Sequence, residues 1–206
     1  MRRRRHSLPE ALEAFGPAAR ARLRPRLERA QLLPPPGELV LLGFKEERRL
    51  ELWGRSTEGP FEHVRTWEVL AASGGPGPKL REGDQQVPEG LYRVIGLNPA
   101  SRFHLSLELD YPNDFDRARA RNDERDPGGE IFIHGRDRSS GCLALGDDAV
   151  EELFVLAADV GIERFRVILS PRDPRGGRAL VPPRGAAPWV AELYDSLERE
   201  LAAFVN

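Results

Sequence analysis

The chain has 206 residues, 40% hydrophobic and 31% charged, with a formal net charge of −2. That length and composition suit a globular domain with a sizeable core and an appendage, and the near-neutral balance provides no global field to attract nucleic acid. No apolar run reaches the roughly 18 residues of a transmembrane helix, and one cysteine with four scattered histidines excludes an internal disulfide and any cysteine-based zinc site.

The N-terminal stretch from Met1 to Glu10 has a basic run with no apolar segment behind it, so it does not read as a signal peptide. Residues 8–32 read as a helix with an imperfect apolar stripe of Leu8, Leu12, Phe15, Leu23 and Leu27, broken by Gly16-Pro17 and Pro25. Arg20, Arg22, Arg24, Arg26 and Arg29 take the other positions. An anionic surface is one partner for them; a solvated helix face is the favoured reading. Leu33 to Gly37, with three successive prolines, makes a stiff linker.

Leu39–Phe44 and Arg49–Trp53 are predicted strands around a polar turn, and Phe61–Leu70 is a further strand. Ser73–Val87 is a Gly/Pro-rich loop. Leu91–Gly96 and Phe103–Leu109 are strands; in the second, alternation puts Phe103, Leu105, Leu107 and Leu109 on one face and His104, Ser106 and Glu108 on the other. His104 is then either a groove residue or a hydrogen-bonded surface histidine. Arg117–Gly129 reads as a mobile loop. Ile131–His134 is a strand with Ile131 and Ile133 on one side and Phe132 and His134 on the other. Asp148 with Glu151 fits a capping box for a helix that buries Val150, Leu153, Phe154 and Ala157. Arg164–Leu169 is a closing strand, Pro171–Pro188 is irregular, and a last helix starts near Pro188 with Trp189, Leu193, Leu197, Leu201 and Phe204 as core positions. There are no internal repeats.

The most informative stretch runs from Ile131 to Cys142. It holds the sole cysteine, eight residues after a histidine that ends an apolar run. A thiol attacks as its thiolate, and a nearby imidazole can take its proton. Gly141, just before the thiol, frees the backbone to turn sharply and aim amide N–H groups at a developing oxyanion. Taken alone, the pair also fits an inert buried thiol and a histidine at a strand end.

The surrounding residues resemble the YkuD-type L,D-transpeptidase catalytic domain, in its YafK-like branch. The resemblance rests on His134-Gly135, a short loop, then Gly141-Cys142-Leu143-Ala144-Leu145-Gly146-Asp147. Upstream it extends through Leu70 to Asp84, Val87-Pro88-Glu89-Gly90-Leu91-Tyr92, Leu97-Asn98-Pro99, Phe103-His104-Leu105-Ser106, Tyr111-Pro112-Asn113 and Asp116-Arg117, covering roughly residues 38–170. Two positions depart from the family pattern: Ser140 stands where a second histidine is usual, and Ala144 where an arginine is usual. Both departures are shared with the YafK-like branch, and the second leaves the substrate carboxylate without its natural guanidinium clamp.

The resemblance implies a mainly β fold, a β-sandwich or open barrel of seven or eight strands, with a helix after the nucleophile and a C-terminal helix. It implies three parts: a basic helical segment with a Pro linker over 1–37, the catalytic domain over 38–170, and a C-terminal loop and helix over 171–206 packing on that domain. Cys142 is the expected nucleophile and His134 the general base and acid, oriented by the Gly135 carbonyl. Backbone N–H groups of Gly141, Cys142 and Leu143 would form the oxyanion hole. Ser139 braces the turn or meets substrate, and His104, Arg117, Arg136 and Lys79 are the other expected substrate contacts, with Arg81 and Arg138 further candidates for carboxylates. The substrate implied is a peptidoglycan stem peptide, attacked to give a Cys142 thioester. An amine acceptor then gives transpeptidation. Water gives carboxypeptidase trimming, or amidase release of a wall-linked lipoprotein. No metal or organic cofactor is needed. A periplasmic or cell-wall location and a monomeric state are expected, with no nucleic-acid partner. The rivals are a non-catalytic wall-binding module and a cytosolic thiol hydrolase acting on another amide.

Overall fold

The computed structural model describes residues 6–32, 36–57, 59–122 and 124–205, which leaves Met1 to Arg5 and most of the expected Pro linker outside the described residues. Helix α1 (Leu8–Arg29) starts where the sequence signals a start. The Glu10 carboxylate accepts the Ser7 backbone N–H at 2.8 Å and the Ser7 hydroxyl at 3.0 Å. Helix α1 runs unbroken through Pro17 and Pro25, in line with the helix expected over 8–32. Burial of Ala11, Ala19, Leu23 and Leu27 against the core holds it together where the prolines remove backbone donors.

The strands are β1 (Glu38–Phe44), β2 (Arg49–Arg55), β3 (Glu62–Glu68), β4 (Ala71–Ala72), β5 (Gly90–Asn98), β6 (Ser106–Leu109), β7 (Phe132–His134), β8 (Leu143–Ala144) and β9 (Phe165–Ser170). They form one sheet, in the order β3-β2-β1-β9-β5-β6-β7-β8-β4, curled into a half-barrel. The mostly-sheet expectation holds, with two short strands, β4 and β8, added to the predicted set. Pairing is antiparallel except at β1–β9 and β7–β8. The stretch read as a closing strand, β9, therefore sits mid-sheet, between β1 and β5.

Alternation along β1 explains why the sheet is covered on both faces. Leu39 and Leu41 join Val167, Leu169 and the helices α1 and α3 (Asp147–Val160) in one cluster. Val40, Leu42 and Phe44 join Ile168 and α4 (Trp189–Leu201) in the other. On α4, Leu193, Leu197 and Leu201 are buried at the expected spacing, followed by Phe204.

The stretch Arg117–Gly129, expected as a mobile loop, is helical at its start: α2 spans Asp114–Asn122. The Asn113 N–H donates to Asp116 and the Asp116 N–H donates back to the Asn113 side chain, at 3.0 and 3.1 Å. Asp114 and Asp116 in the first turn and Arg119 and Arg121 in the last match the helix dipole. Two other boundaries shift. The Asp148/Glu151 capping box is replaced by Gly146 at the N-cap of α3, because the Glu151 carboxylate is held by His104 and Arg22. β6 begins only at Ser106, because His104 takes a left-handed φ of +77° that no strand accommodates.

Candidate active site

β7 and β8 place the two chemical residues at neighbouring parallel strands. β8 runs parallel to β7, with Ile133 opposite Leu143 and His134 opposite Ala144, so Cys142 leads into β8 beside the strand that ends on His134. β4 closes the other side, pairing Ala72 with Leu143. Gly141, at φ +87°, makes the turn that only glycine adopts without strain.

His134 is buried at 2% exposure. Its Nδ1 lies 2.6 Å from the Gly135 carbonyl oxygen, which fixes the proton there and leaves Nε2 as the basic nitrogen. Burial pushes the imidazole below its ordinary pKa, against the smaller upward pull of that carbonyl, so it is neutral at pH 7. Gly135 must be glycine, since a Cβ there would lie 2.7 Å from the Phe103 carbonyl oxygen and 2.8 Å from an Asp147 carboxylate oxygen.

The Cys142 thiol accepts the Phe132 N–H at 3.4 Å and donates to the Glu130 carbonyl at 3.6 Å. Burial pushes the thiol up; the Phe132 N–H pulls it down, Glu130 raises it and Lys79 lowers it. Among the described residues, the thiol's hydrogen bonds go to Phe132 and Glu130 and not to His134. The two residues lie at neighbouring strand ends with no hydrogen bond between them.

The expected oxyanion donors are occupied in this structure. The Gly141 N–H donates to Ser73 Oγ at 2.6 Å, and the Cys142 N–H donates to Ser139 Oγ at 3.0 Å. The Ser139 hydroxyl donates in turn to the Cys142 carbonyl at 2.5 Å, so Ser139 braces the turn and its hydroxyl is not free for substrate. Leu143 lies within the β8 ladder.

The expected substrate contacts do not gather at the thiol. Lys79 is buried and bound to Asp84 at 2.7 Å and to the Arg81 carbonyl at 2.8 Å; it staples its own loop and reaches Cys142 only through its field. Arg117 stands exposed on α2, 3.5 Å from Asp114. The Arg136 backbone N–H and guanidinium both hold Asp147, at 3.0 and 2.6 Å, an interaction that ties the loop after β7 to the first turn of α3. His104 pairs with Glu151 on α3 at 2.9 Å rather than facing a groove from a strand.

Three neighbours of the site were not singled out from the sequence: Ser73, the Glu130 carbonyl, and Phe103, whose ring stacks on His134 at 4.5 Å between centroids and 28° between planes. Phe103 was read as a core-facing strand residue, and no local signal marks Ser73.

Among the described residues there is no group of acidic, histidine and cysteine side chains placed to hold a metal, and no helix is long and apolar enough to cross a membrane.

Comparisons with known proteins converge on one family. The model of the L,D-transpeptidase catalytic domain, YkuD, matches residues 44–169, more than half of the chain. YafK of Escherichia coli strain K12, whose L,D-transpeptidase name is provisional, is 36% identical over 113 residues, 54% of this chain. The chain spans 44% of the length of that relative. The crystal structure of the helical cell shape determining protein Pgp2 from Campylobacter jejuni has a TM-score of 0.54 at 23% identity, covering 66% of this chain and 48% of Pgp2. A variant of Pgp2 gives 0.54 at 22%, covering 80% and 55%. At that identity the likeness to Pgp2 concerns the fold. With the match extending from the end of β1 almost to the end of β9, the chain belongs to the YkuD L,D-transpeptidase catalytic-domain family.

Proposed function

We propose that this chain is a cysteine acyltransferase acting on peptidoglycan stem peptides in the periplasm or cell-wall space, with residues 38–170 as its catalytic unit. The observation that carries the reading is the placement of the single thiol on a glycine turn beside a buried, neutral imidazole whose Nδ1 is fixed on the Gly135 carbonyl. Family membership supports it.

In this reading the Cys142 thiol turns from the Glu130 carbonyl toward His134 Nε2 and gives up its proton there. The thiolate attacks the carbonyl of the L-centre residue of the donor peptide. The tetrahedral intermediate collapses to a thioester, and the imidazolium protonates the departing D-centre amine. The Gly141 and Cys142 amides serve the oxyanion once Ser73 and Ser139 release them. An incoming amine, deprotonated by His134, gives the new peptide bond; water gives a free carboxylate. The same acyl-enzyme thus covers crosslinking, trimming and release of a wall-linked lipoprotein.

The test is mass spectrometry of disaccharide-tetrapeptides and protein-linked muropeptides after incubation with the full chain. Cys142-dependent dimers are the expected product. A tripeptide or a freed protein tail would make the chain a hydrolase instead. Cys142→Ser and His134→Ala are each expected to abolish turnover while keeping the folded circular dichroism spectrum; turnover retained by either variant overturns the mechanism.

A further inference from the structure

The turn at Phe103-His104 is stretched between two anchors. His104 adopts φ +77°, a conformation that costs free energy for any residue but glycine and persists only where the surroundings impose it. Here they do so from opposite sides. His104 Nε2 lies 2.9 Å from the Glu151 carboxylate on α3, and its ring meets Phe15 of α1 edge-on at 4.8 Å. Phe103 points the other way and lays its ring on His134. The Phe103 carbonyl also sits so near Gly135 that a methyl group there would not fit. The imidazole is therefore held in-plane at Nδ1 by Gly135 and across one face by Phe103, a residue 39% exposed that also borders solvent.

We propose that Phe103 is a positioning residue for His134, set in place by α1 and α3 acting through His104. The proposal rests on the reading of His134 as the general base. A histidine ring rotates about χ2 in a broad, roughly two-fold well, so a strand end alone does not fix where Nε2 points. A flat ring stacked on one face restricts that rotation and keeps water from the same face. One of the contacts that hold His104 comes from α1, which precedes the residues matched by the family model. The ionisable groups on the surrounding elements are mutually engaged: His104 with Glu151, and Arg136 with Asp147; Cys142 is bound to backbone groups.

The experiment follows the ring nitrogens of His134 by NMR in the isotope-labelled full chain, comparing the native protein with Phe103→Ala, Phe103→Tyr and Phe15→Ala. Native His134 is expected to hold its proton on Nδ1 and to titrate below an ordinary histidine. Phe103→Ala should loosen that tautomer bias and move the titration upward; Phe103→Tyr should restore both, and Phe15→Ala should shift them in the Ala direction by less. On a muropeptide, Phe103→Ala should lower kcat about tenfold or more with KM nearly unchanged, and should shift the acid limb of the pH profile with the NMR titration. An unchanged His134 tautomer and titration in folded Phe103→Ala overturns the proposal, as does a Tyr variant that behaves like the Ala one. If Phe103→Ala fails to fold, Phe103→Leu takes its place, keeping apolar volume while losing the flat face, with the same loosening expected. The NMR outcome needs no substrate. A shifted titration in a chain inert toward every muropeptide would support the positioning role and count against the proposed function alone.

Discussion

His134 contributes to the pH dependence of stability with a definite sign, opposed by Asp116, whose burial raises its carboxyl to about 6. The histidine's pKa is depressed in the folded chain, so below about pH 6.5, the ordinary histidine value, the unfolded chain takes up a proton that the folded chain refuses. Stability contributed by this residue is full above that pH, falls as the pH drops through it, and levels off once the folded imidazole also protonates. His63 acts in the same direction through its own burial. Urea unfolding at pH 7 and pH 5 should show a smaller acid loss in His134→Gln than in the native chain; equal losses would mean that the imidazole is protonated in the folded state. At this scale the sequence was informative where chemistry lies in consecutive residues. The thiol, the glycine turn, the histidine and the carbonyl bound to its Nδ1 all lie between Ile131 and Cys142. Contacts from distant segments could not: Ser73 reaches Gly141 across 68 residues, and the hydroxyls of Ser73 and Ser139 take amides that the motif alone leaves open.

Among the elements, α1 departs furthest from its reading as a solvated arginine face. Arg22 reaches Glu151 at 3.1 Å and Glu152 at 2.8 Å, and Arg20 forms a two-pronged pair with Asp159. These pairs differ in worth because they differ in burial. Glu152 is fully buried and also holds Arg65 at 2.6 Å and the Trp67 indole at 3.0 Å, joining α1, α3 and β3. Removing it strands buried guanidinium and indole donors, so Glu152→Ala should cost about 3–5 kcal/mol in denaturant unfolding. Asp159→Ala, at an exposed pair, should cost no more than about 1 kcal/mol. Similar losses for both would show that α1 is held by its apolar face alone. Packing carries α1 through Pro17 and Pro25 against local propensity, and α3 and α4 were legible because their buried residues repeat at helical spacing.

Across the whole molecule, one buried carboxylate joins parts far apart in the chain. Glu89 accepts Lys45 Nζ at 3.0 Å from the β1–β2 turn, the Gly77 N–H at 2.8 Å from the loop before β5, and the Tyr194 hydroxyl at 2.7 Å from α4. Burial holds Lys45 below the usual lysine pKa even with this partner. Glu89→Ala leaves a buried cation and two donors without their acceptor, and should lower the thermal midpoint by about 10 °C, following a loss of about 3–5 kcal/mol. A midpoint within about 2 °C of the native value would show that solvent reaches the site.

The position of β9 also governs how the molecule assembles. The half of the sheet built by β1, β2 and β3 meets the half that carries His134 and Cys142 only through β9, a strand that enters the chain at Phe165. Its partners, β1 and β5, lie far earlier in the sequence. A large loop must close before either pairing forms, so the landscape is dominated by non-local contacts, and folding on the slow, millisecond-to-second side is the consequence. During synthesis Cys142 is made before the strand that joins its half of the sheet to the other. The thiol thus spends the interval in a chain with no completed sheet around it.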